Sequence, residues 1–322
     1  MIENAVEAPR LVAGSPPAAT LEEYVAGLRA AGVGVVQGCS GSYWVSFADR
    51  VVRRVPNFDL SVPRPGEVDA ALAATGGLVA SYVTEADWRH RGNAWLYLCT
   101  DGSYSLGDRC PAMRRNVRRA MREFVIRPTS PAELMAHGGP AFCDTRRRNN
   151  LDDGTLEVFR RAFEHHVGSA GRAYLGAWRD GQLAAFVSIV RADDWAELGS
   201  FSMDSMLRYR PNDALLWFAL SKCLAIDRCR VVSYGLSSIR SDDRAAGLHR
   251  FKLKIGFQPK RVHRAFILHP AVRPFANRLT LSATYSAVEA VLRVQPRSRR
   301  LQKLAGMLCC LLGVPSARHS PA

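Results

Sequence analysis

Apolar positions along the chain switch between two periods, and the switches predict the elements. From Leu21 a helical repeat places Tyr24, Val25 and Leu28 on one face. Ser42 to Phe47 alternates in the manner of a strand. Pro56 to Pro65 carries three prolines and reads as a connector. Val68 to Ala74 returns to helical spacing and stops at Gly76-Gly77, and Leu78 to Thr84 and Ala94 to Cys99 read as strands. A proline-containing joint at Arg127 to Pro131 then separates a first lobe from a second.

The second lobe has the clearer order. Thr155 to His166 is helical, with Leu156, Phe159 and Phe163 inward and His165 and His166 as helix-end residues. Ala173 to Trp178 is a strand, Arg179-Asp180-Gly181 a hairpin turn, and Leu183 to Val190 and Trp195 to Ser202 are the next two strands. A largely buried helix follows over Asp213 to Ala225, then a short strand over Val231 to Tyr234 and a short helix over Arg244 to Lys252. After Gly256 the pattern predicts a strand pair up to Leu268, and Asp144 to Asn150 is polar enough to read as a loop. Helices interleaved with antiparallel and later strands predict an α/β (α+β) fold: two lobes of mixed central sheet flanked by helices, with a C-terminal amphipathic helical tail. The boundaries are 1–128, including a basic linking helix at 111–126, then 129–270, then the tail 271–322.

That basic helix is the sharpest local feature. Met113, Val117, Ala120, Met121 and Phe124 share one face, and Arg114, Arg115, Arg118, Arg119 and Arg122 share the opposite one. Like charges at such spacing repel, so the stripe is either a solvated surface or a contact for something anionic. Arg115, Arg118, Arg119 and Arg122 are the substrate-contact candidates.

Composition widens this reading. The net charge is +15, most of it from arginine, which favours an anionic partner: phosphate, nucleic acid or an anionic membrane. Aromatic side chains do not interleave the arginines, which counts against single-strand nucleic-acid binding. The eight cysteines form no CxxC pair and have no histidine at zinc-ligand spacing, so they read as reduced, mostly buried residues of a cytoplasmic protein, with no metal expected. The N-terminus lacks a signal-peptide pattern, and no segment reaches the length of apolar residues that spans a bilayer. In the tail, Arg297, Arg299, Arg300 and Lys303 precede an apolar run that ends at Val314. Residues 297–314 therefore suit peripheral contact with the inner face of an anionic membrane, or packing of a terminal helix on the protein.

One helix start suits an anion. Pro211 sits where a helix begins, Asn212 or Asp213 suits its cap, and Arg208 and Arg210 flank it. These four residues, Arg208, Arg210, Asn212 and Asp213, are the candidates for holding a phosphate-bearing donor at helix amides.

Four stretches taken together resemble the GNAT fold, and within it the FemAB-like branch with its BioF2-like acetyltransferase domains. They are Arg114 to Ala120, Tyr174 to Val190, the helix from Pro211, and Val232-Ser233-Tyr234-Gly235 followed by Leu248-His249-Arg250-Phe251-Lys252 and Gly256-Phe257. The resemblance implies transfer of an acyl or aminoacyl group to an amine of a small-molecule or envelope-precursor acceptor. Acyl-CoA or aminoacyl-tRNA would be the co-substrate, with no resident cofactor. The stretch Arg208 to Ala214 departs from the coenzyme A pattern because it has no glycine, which weakens backbone cradling of a pyrophosphate. The donor stays open between a thioester and an aminoacyl-tRNA, and a nucleic-acid-binding or scaffold protein is the non-enzymatic alternative.

Acyl transfer to an amine needs a proton acceptor, a held carbonyl and stabilisation of the oxyanion. Glu197 and Asp204 bracket a strand and are candidate bases. Tyr234 ends the next strand and suits the leaving group or the carbonyl. The resemblance places Lys252, in the Phe-Lys pair, beside substrate phosphate or the developing negative charge. No Gly-x-Ser-x-Gly or Cys-His arrangement argues for covalent catalysis.

Overall fold

The structure is a computed structural model, and it describes residues 19–46, 50–87, 92–149, 154–164, 167–238, 243–295 and 298–312. In chain order the elements are α1 (Leu21–Ala30), β1 (Gly34–Gln37), β2 (Tyr43–Ser46), β3 (Val51–Val55), α2 (Glu67–Thr75), β4 (Val79–Glu85) and β5 (Ala94–Cys99). Next come α3 (Pro111–Glu123), β6 (Val125–Pro128), α4 (Pro131–His137), α5 (Gly139–Arg148), α6 (Leu156–Phe163), β7 (Arg172–Arg179), β8 (Gln182–Ala192) and β9 (Trp195–Ser202). The last are α7 (Pro211–Leu220), β10 (Val231–Ser238), α8 (Asp243–Ile255), β11 (Gln258–Leu268), α9 (Arg278–Val294) and α10 (Arg299–Leu312). The chain is a mixed α/β protein, and it divides into two compact units. One takes Thr100–Thr145 and Thr155–Val232, and the other takes Glu22–Cys99 and the chain from Ser233 onward.

In the first unit the strands run β9, β8, β7, β6, each antiparallel to its neighbour. The β7–β8 turn has Asp180 at φ 50° and Gly181 at φ 76°. Two successive positive φ values match the right-handed twist of the strands, which is why an Asp-Gly pair sits there. One face of the sheet is covered by α4, α5 and α6 through an aromatic core of Phe142, Phe159, Phe163, Phe186 and Phe201. The Phe186 and Phe201 rings stack with centroids 4.7 Å apart. Burying each such side chain contributes about 1.5–3 kcal/mol. The helix α3 packs on α7, and its Met113, Val117 and Ala120 are fully buried, so the apolar face read from the sequence is a packing face.

In the second unit the order is β1, β2, β3, β4, β11, β5, with β10 beside β5. The β3–β4 pair is parallel, and β1–β2, β2–β3, β4–β11 and β11–β5 are antiparallel. Trp44, Val52, Leu72 and Ala80 form one core cluster and Val83, Ala94, Leu96 and Val262 another. Two helices close the chain: Val288 and Leu292 of α9 pack against Ala305 and Leu308 of α10. Among the described residues no helix is long and apolar enough to cross a membrane. Part of the apolar face of the tail is therefore turned toward α9. Arg297 and Val314, and the side chains of Arg299, Arg300 and Lys303, lie outside the described residues, as do His165 and His166.

Three local expectations are corrected. The segment read as a loop at Asp144 to Asn150 is helical as far as Arg148, because Ala141, Phe142 and Cys143 are buried and carry the polar turn that follows them into α5. Asn150 itself is outside the described residues. The strand pair expected after Gly256 is the single strand β11. Gln258 to Leu268 contains no Gly, Asn or Asp to turn the chain, and its two ends pair with different partners, β5 at Gln258–Val262 and β4 at Val262–Leu268. The helix expected over Asp213 to Ala225 starts at Pro211 with Arg210 as its N-cap at φ 64°, and neither Asn212 nor Asp213 caps it. It ends at Leu220 and passes into a π-helical turn over Ser221–Ile226.

Candidate functional site

The chemistry gathers around Lys252 in the second unit. On α8, His249 and Lys252 are three residues apart and so share a face. On β5, Trp95 and Tyr97 point to the same side by strand alternation, while Leu96 and Leu98 join the core cluster on the other side. The His249 ring lies against both aromatics, with centroids 5.9 Å from Trp95 and 5.7 Å from Tyr97. The Tyr97 hydroxyl shares a 2.7 Å hydrogen bond with His249 Nδ1.

On β10 the site depends on one glycine. Gly235 has φ 69°, a conformation cheap only for glycine. A regular strand would put residues 234 and 236 on one face and 237 on the other. With Gly235 in the left-handed region the alternation is broken. Leu236 joins the Leu96 and Leu98 cluster, while the Tyr234 ring and Ser237 Oγ both lie beside Lys252 Nζ.

Lys252 is 3% exposed. Its Nζ lies 3.0 Å from Ser237 Oγ and 3.5 Å from the Tyr234 carbonyl oxygen. It also stands 3.9 Å from the centre of the Tyr97 ring and 5.0 Å from that of Tyr234. Among the described residues no carboxylate pairs with it. Two aromatic faces stabilise an ammonium by about 2 kcal/mol when it is desolvated, whereas removing that charge from water costs several. Desolvation wins and pulls the Lys252 pKa down to about 7. Burial pushes the Tyr97 hydroxyl upward, and its interaction with Ser237 opposes that shift. The result is an amine able to take up or release a proton near neutral pH, and one that is a compact cation when protonated.

The structure thus brings Tyr234 and Lys252 together, and it adds Tyr97, Ser237 and His249, which sequence reasoning did not select. Only His249 carried a signal, its helical spacing from Lys252.

The remaining candidates are in the first unit. Glu197 is on β9 opposite Val190 and partly exposed. Asp204 opens a 3-10 turn, and its amide donates to Asp144 Oδ2. Arg208 stands over the Tyr209 ring at 4.6 Å, and the Arg210 amide donates to the Leu207 carbonyl. Asn212 Nδ2 donates to Ser202 Oγ, and its Oδ1 is buried with no hydrogen-bond partner among the described residues. Asp213 is 3% exposed and accepts a hydrogen bond from Asn116 Nδ2 at 3.1 Å. A buried carboxylate in the first turn already answers the positive end of the α7 dipole. On α3, Arg115, Arg118, Arg119 and Arg122 are exposed; Arg119 lies 5.9 Å from the Tyr209 ring centre, while Arg115, Arg118 and Arg122 have no partner among the described residues. No group of three His, Cys, Asp or Glu side chains among the described residues is placed to hold a metal.

No protein-family model matches the chain, and no curated protein does. Solved structures do. FemX aligns over 80% of this chain and 95% of its own, with a TM-score of 0.52 at 9% identity. L-PGS from Bacillus licheniformis aligns over 79% and 94%, with a TM-score of 0.48 at 12% identity. A GCN5-related N-acetyltransferase from Kribbella flavida aligns over 77% and 94%, with a TM-score of 0.44 at 14% identity. The FemX likeness is one of fold: the chain has a GNAT-like fold of the FemAB-like kind.

Proposed function

We propose that the chain transfers an acyl group from an activated carbonyl donor, an acyl thioester such as acyl-CoA, to an amine. The observation that carries this reading is the desolvated amine of Lys252, held over the Tyr97 ring with no acidic partner among the described residues. Attack by an amine requires loss of a proton near neutral pH, and a lysine poised at about 7 is matched to accept one. Its ammonium then opposes the charge on the tetrahedral oxygen. The GNAT-like fold supports the reaction class, and the acceptor is a small-molecule or envelope-precursor amine.

A second reading, with aminoacyl-tRNA as donor, is favoured by one feature: Arg115, Arg118 and Arg122 on α3, exposed and without a partner among the described residues. The lack of glycine between Arg208 and Ala214 and the buried Asp213 also count against a pyrophosphate held at that helix start.

One experiment separates the two. Transfer to a panel of amines and thermal shift are measured with acetyl-CoA, long-chain acyl-CoA and aminoacyl-tRNA at low and moderate salt. A response to thioesters alone removes the tRNA reading, and a salt-sensitive response to aminoacyl-tRNA alone removes the thioester. Lys252→Ala is expected to abolish transfer with either donor. Full turnover by that variant takes Lys252 out of the site, and silence toward every donor and amine removes the transferase.

A further inference from the structure

We propose that Ser237 and Lys252 form a nucleophile–base dyad and that the acyl group passes through an ester on Ser237. The proposal rests on the acyl-transfer reading for its substrate class and on side-chain geometry for the dyad.

Two features set this pair apart from an ordinary buried hydrogen bond. The first is the difference in burial. Lys252 is 3% exposed, whereas Ser237 is only partly buried, so the serine is the more exposed of the two. A buried lysine base beside a more exposed hydroxyl nucleophile is what a serine–lysine pair requires. The second is the set of contacts. The 3.0 Å distance from Nζ to Oγ permits direct proton transfer. Among the described residues no carboxylate meets the amine, so nothing there holds it as a permanent cation. Tyr97 fixes both partners, with its ring 3.9 Å from Lys252 Nζ and its hydroxyl interacting with Ser237, and His249 anchors that hydroxyl at 2.7 Å. The left-handed Gly235 stands between Tyr234 and Ser237, where β10 departs from the alternation that would set the two on opposite faces.

The chemistry balances without any added oxidant or metal. Ser237 Oγ bonds to the thioester carbonyl carbon while its proton passes to Lys252 Nζ. The carbon–sulfur bond breaks, and the departing thiolate takes that proton, leaving a seryl ester and a neutral lysine. An amine then attacks the ester carbonyl and gives a proton to Lys252. The carbon–oxygen bond breaks, and Ser237 Oγ recovers the proton. Thioester and amine become amide and thiol.

The test uses the full chain and a fluorophosphonate probe, which needs no knowledge of the natural donor. The Oγ–phosphorus bond forms as fluoride leaves and the hydroxyl proton goes to Lys252. Digestion and mass spectrometry are expected to place the adduct on Ser237, with none at that position in Ser237→Ala. Lys252→Met, which keeps the buried volume, is expected to slow labelling at least ~100-fold, the scale of a lost general base, while circular dichroism shows both variants folded. Absence of label on Ser237 in the wild-type protein, or labelling of Lys252→Met at the wild-type rate, overturns the dyad. Transfer assays run alongside separate the two readings. Undiminished transfer by Ser237→Ala overturns the dyad and leaves the transferase standing. Lysine-dependent labelling of Ser237 with no transfer to any amine supports the dyad and removes the transferase.

Discussion

Lys252 Nζ lies 3.9 Å from the centre of the Tyr97 ring with no carboxylate beside it among the described residues, and this desolvated setting has a consequence for stability as well as chemistry. The folded lysine titrates at about 7, below its ordinary value of 10.5. Between those two values the unfolded chain binds more protons than the folded one, so stability rises with pH across that window. Below about 7 the lysine is charged in both states, and the full cost of burying it is present. From about pH 6 to about pH 9 the gain is roughly 2–3 kcal/mol, at about 1.36 kcal/mol per pKa unit. Lys252→Met has no charge to bury. Urea unfolding at the two pH values should show the variant more stable than wild type at the lower pH and the difference shrinking at the higher. Parallel pH profiles for the two proteins would mean that Lys252 is not desolvated.

The hydroxyl of Tyr97 has a role separable from its ring. Tyr97→Phe keeps the aromatic face under Lys252 and removes the 2.7 Å bond to His249. A net hydrogen bond contributes about 1 kcal/mol, so the expected stability loss is of that size. The pH window of the stability curve should stay where it is, because the desolvation of Lys252 is unchanged. Transfer should fall, since Ser237 loses the hydroxyl beside it. An unchanged rate would confine Tyr97 to packing.

The arginine stripe of α3 makes a prediction that depends on salt. Arg115, Arg118 and Arg122 are exposed and unpartnered among the described residues, and the opposite face of the helix is buried. Replacing the three by glutamine should leave the melting temperature nearly unchanged, because exposed charges contribute little to folding. If the stripe meets the phosphates of a tRNA, the slope of log affinity against log salt should drop by about 2–3, at about 0.7–0.9 for each of the three phosphates no longer neutralised. An unchanged slope for tRNA would show the stripe to be a solvated surface.

Much of the fold was legible because local pattern and tertiary demand agree. β5 spans Ala94 to Cys99 as expected, stopped by the turn residues Thr100-Asp101-Gly102, and the Asp180-Gly181 turn marked the β7–β8 hairpin. Elements escaped where the deciding contact lies far along the chain. β1 is four residues long and acquires its identity from β2, and β11 is one strand only because β4 and β5 take its two halves. The site follows the same division. Tyr234 and Lys252 were found through a family-like motif, and the period of two assigns Ser237 to the opposite face of its strand. Only the backbone reversal at Gly235 brings it round, and a glycine in a sequence does not announce its φ.

A different glycine tests the packing of the first unit. Gly176 lies in β7, where a Cβ would stand 2.3 Å from Thr129 Oγ1, 2.5 Å from Trp178 Nε1 and 2.7 Å from Leu183 Cδ1. Those first two atoms are joined by a 3.0 Å hydrogen bond, and the Thr129 amide donates to the Tyr174 carbonyl at the β6 edge. Gly176→Ala therefore drives a methyl group into a buried bond and against a core leucine. Overpacking costs about 1–3 kcal/mol, and the lost hydrogen bond adds about 1 kcal/mol. Gly181→Ala in the neighbouring turn meets no atom within 4 Å and bears only its φ of 76°, which costs about 1–2 kcal/mol. Chemical denaturation followed by tryptophan fluorescence should rank Gly176→Ala below Gly181→Ala, and both below wild type. Equal stability of Gly176→Ala and wild type would mean that β6 and β7 do not pack as described, because no rotation of Thr129 alone clears both Trp178 and Leu183.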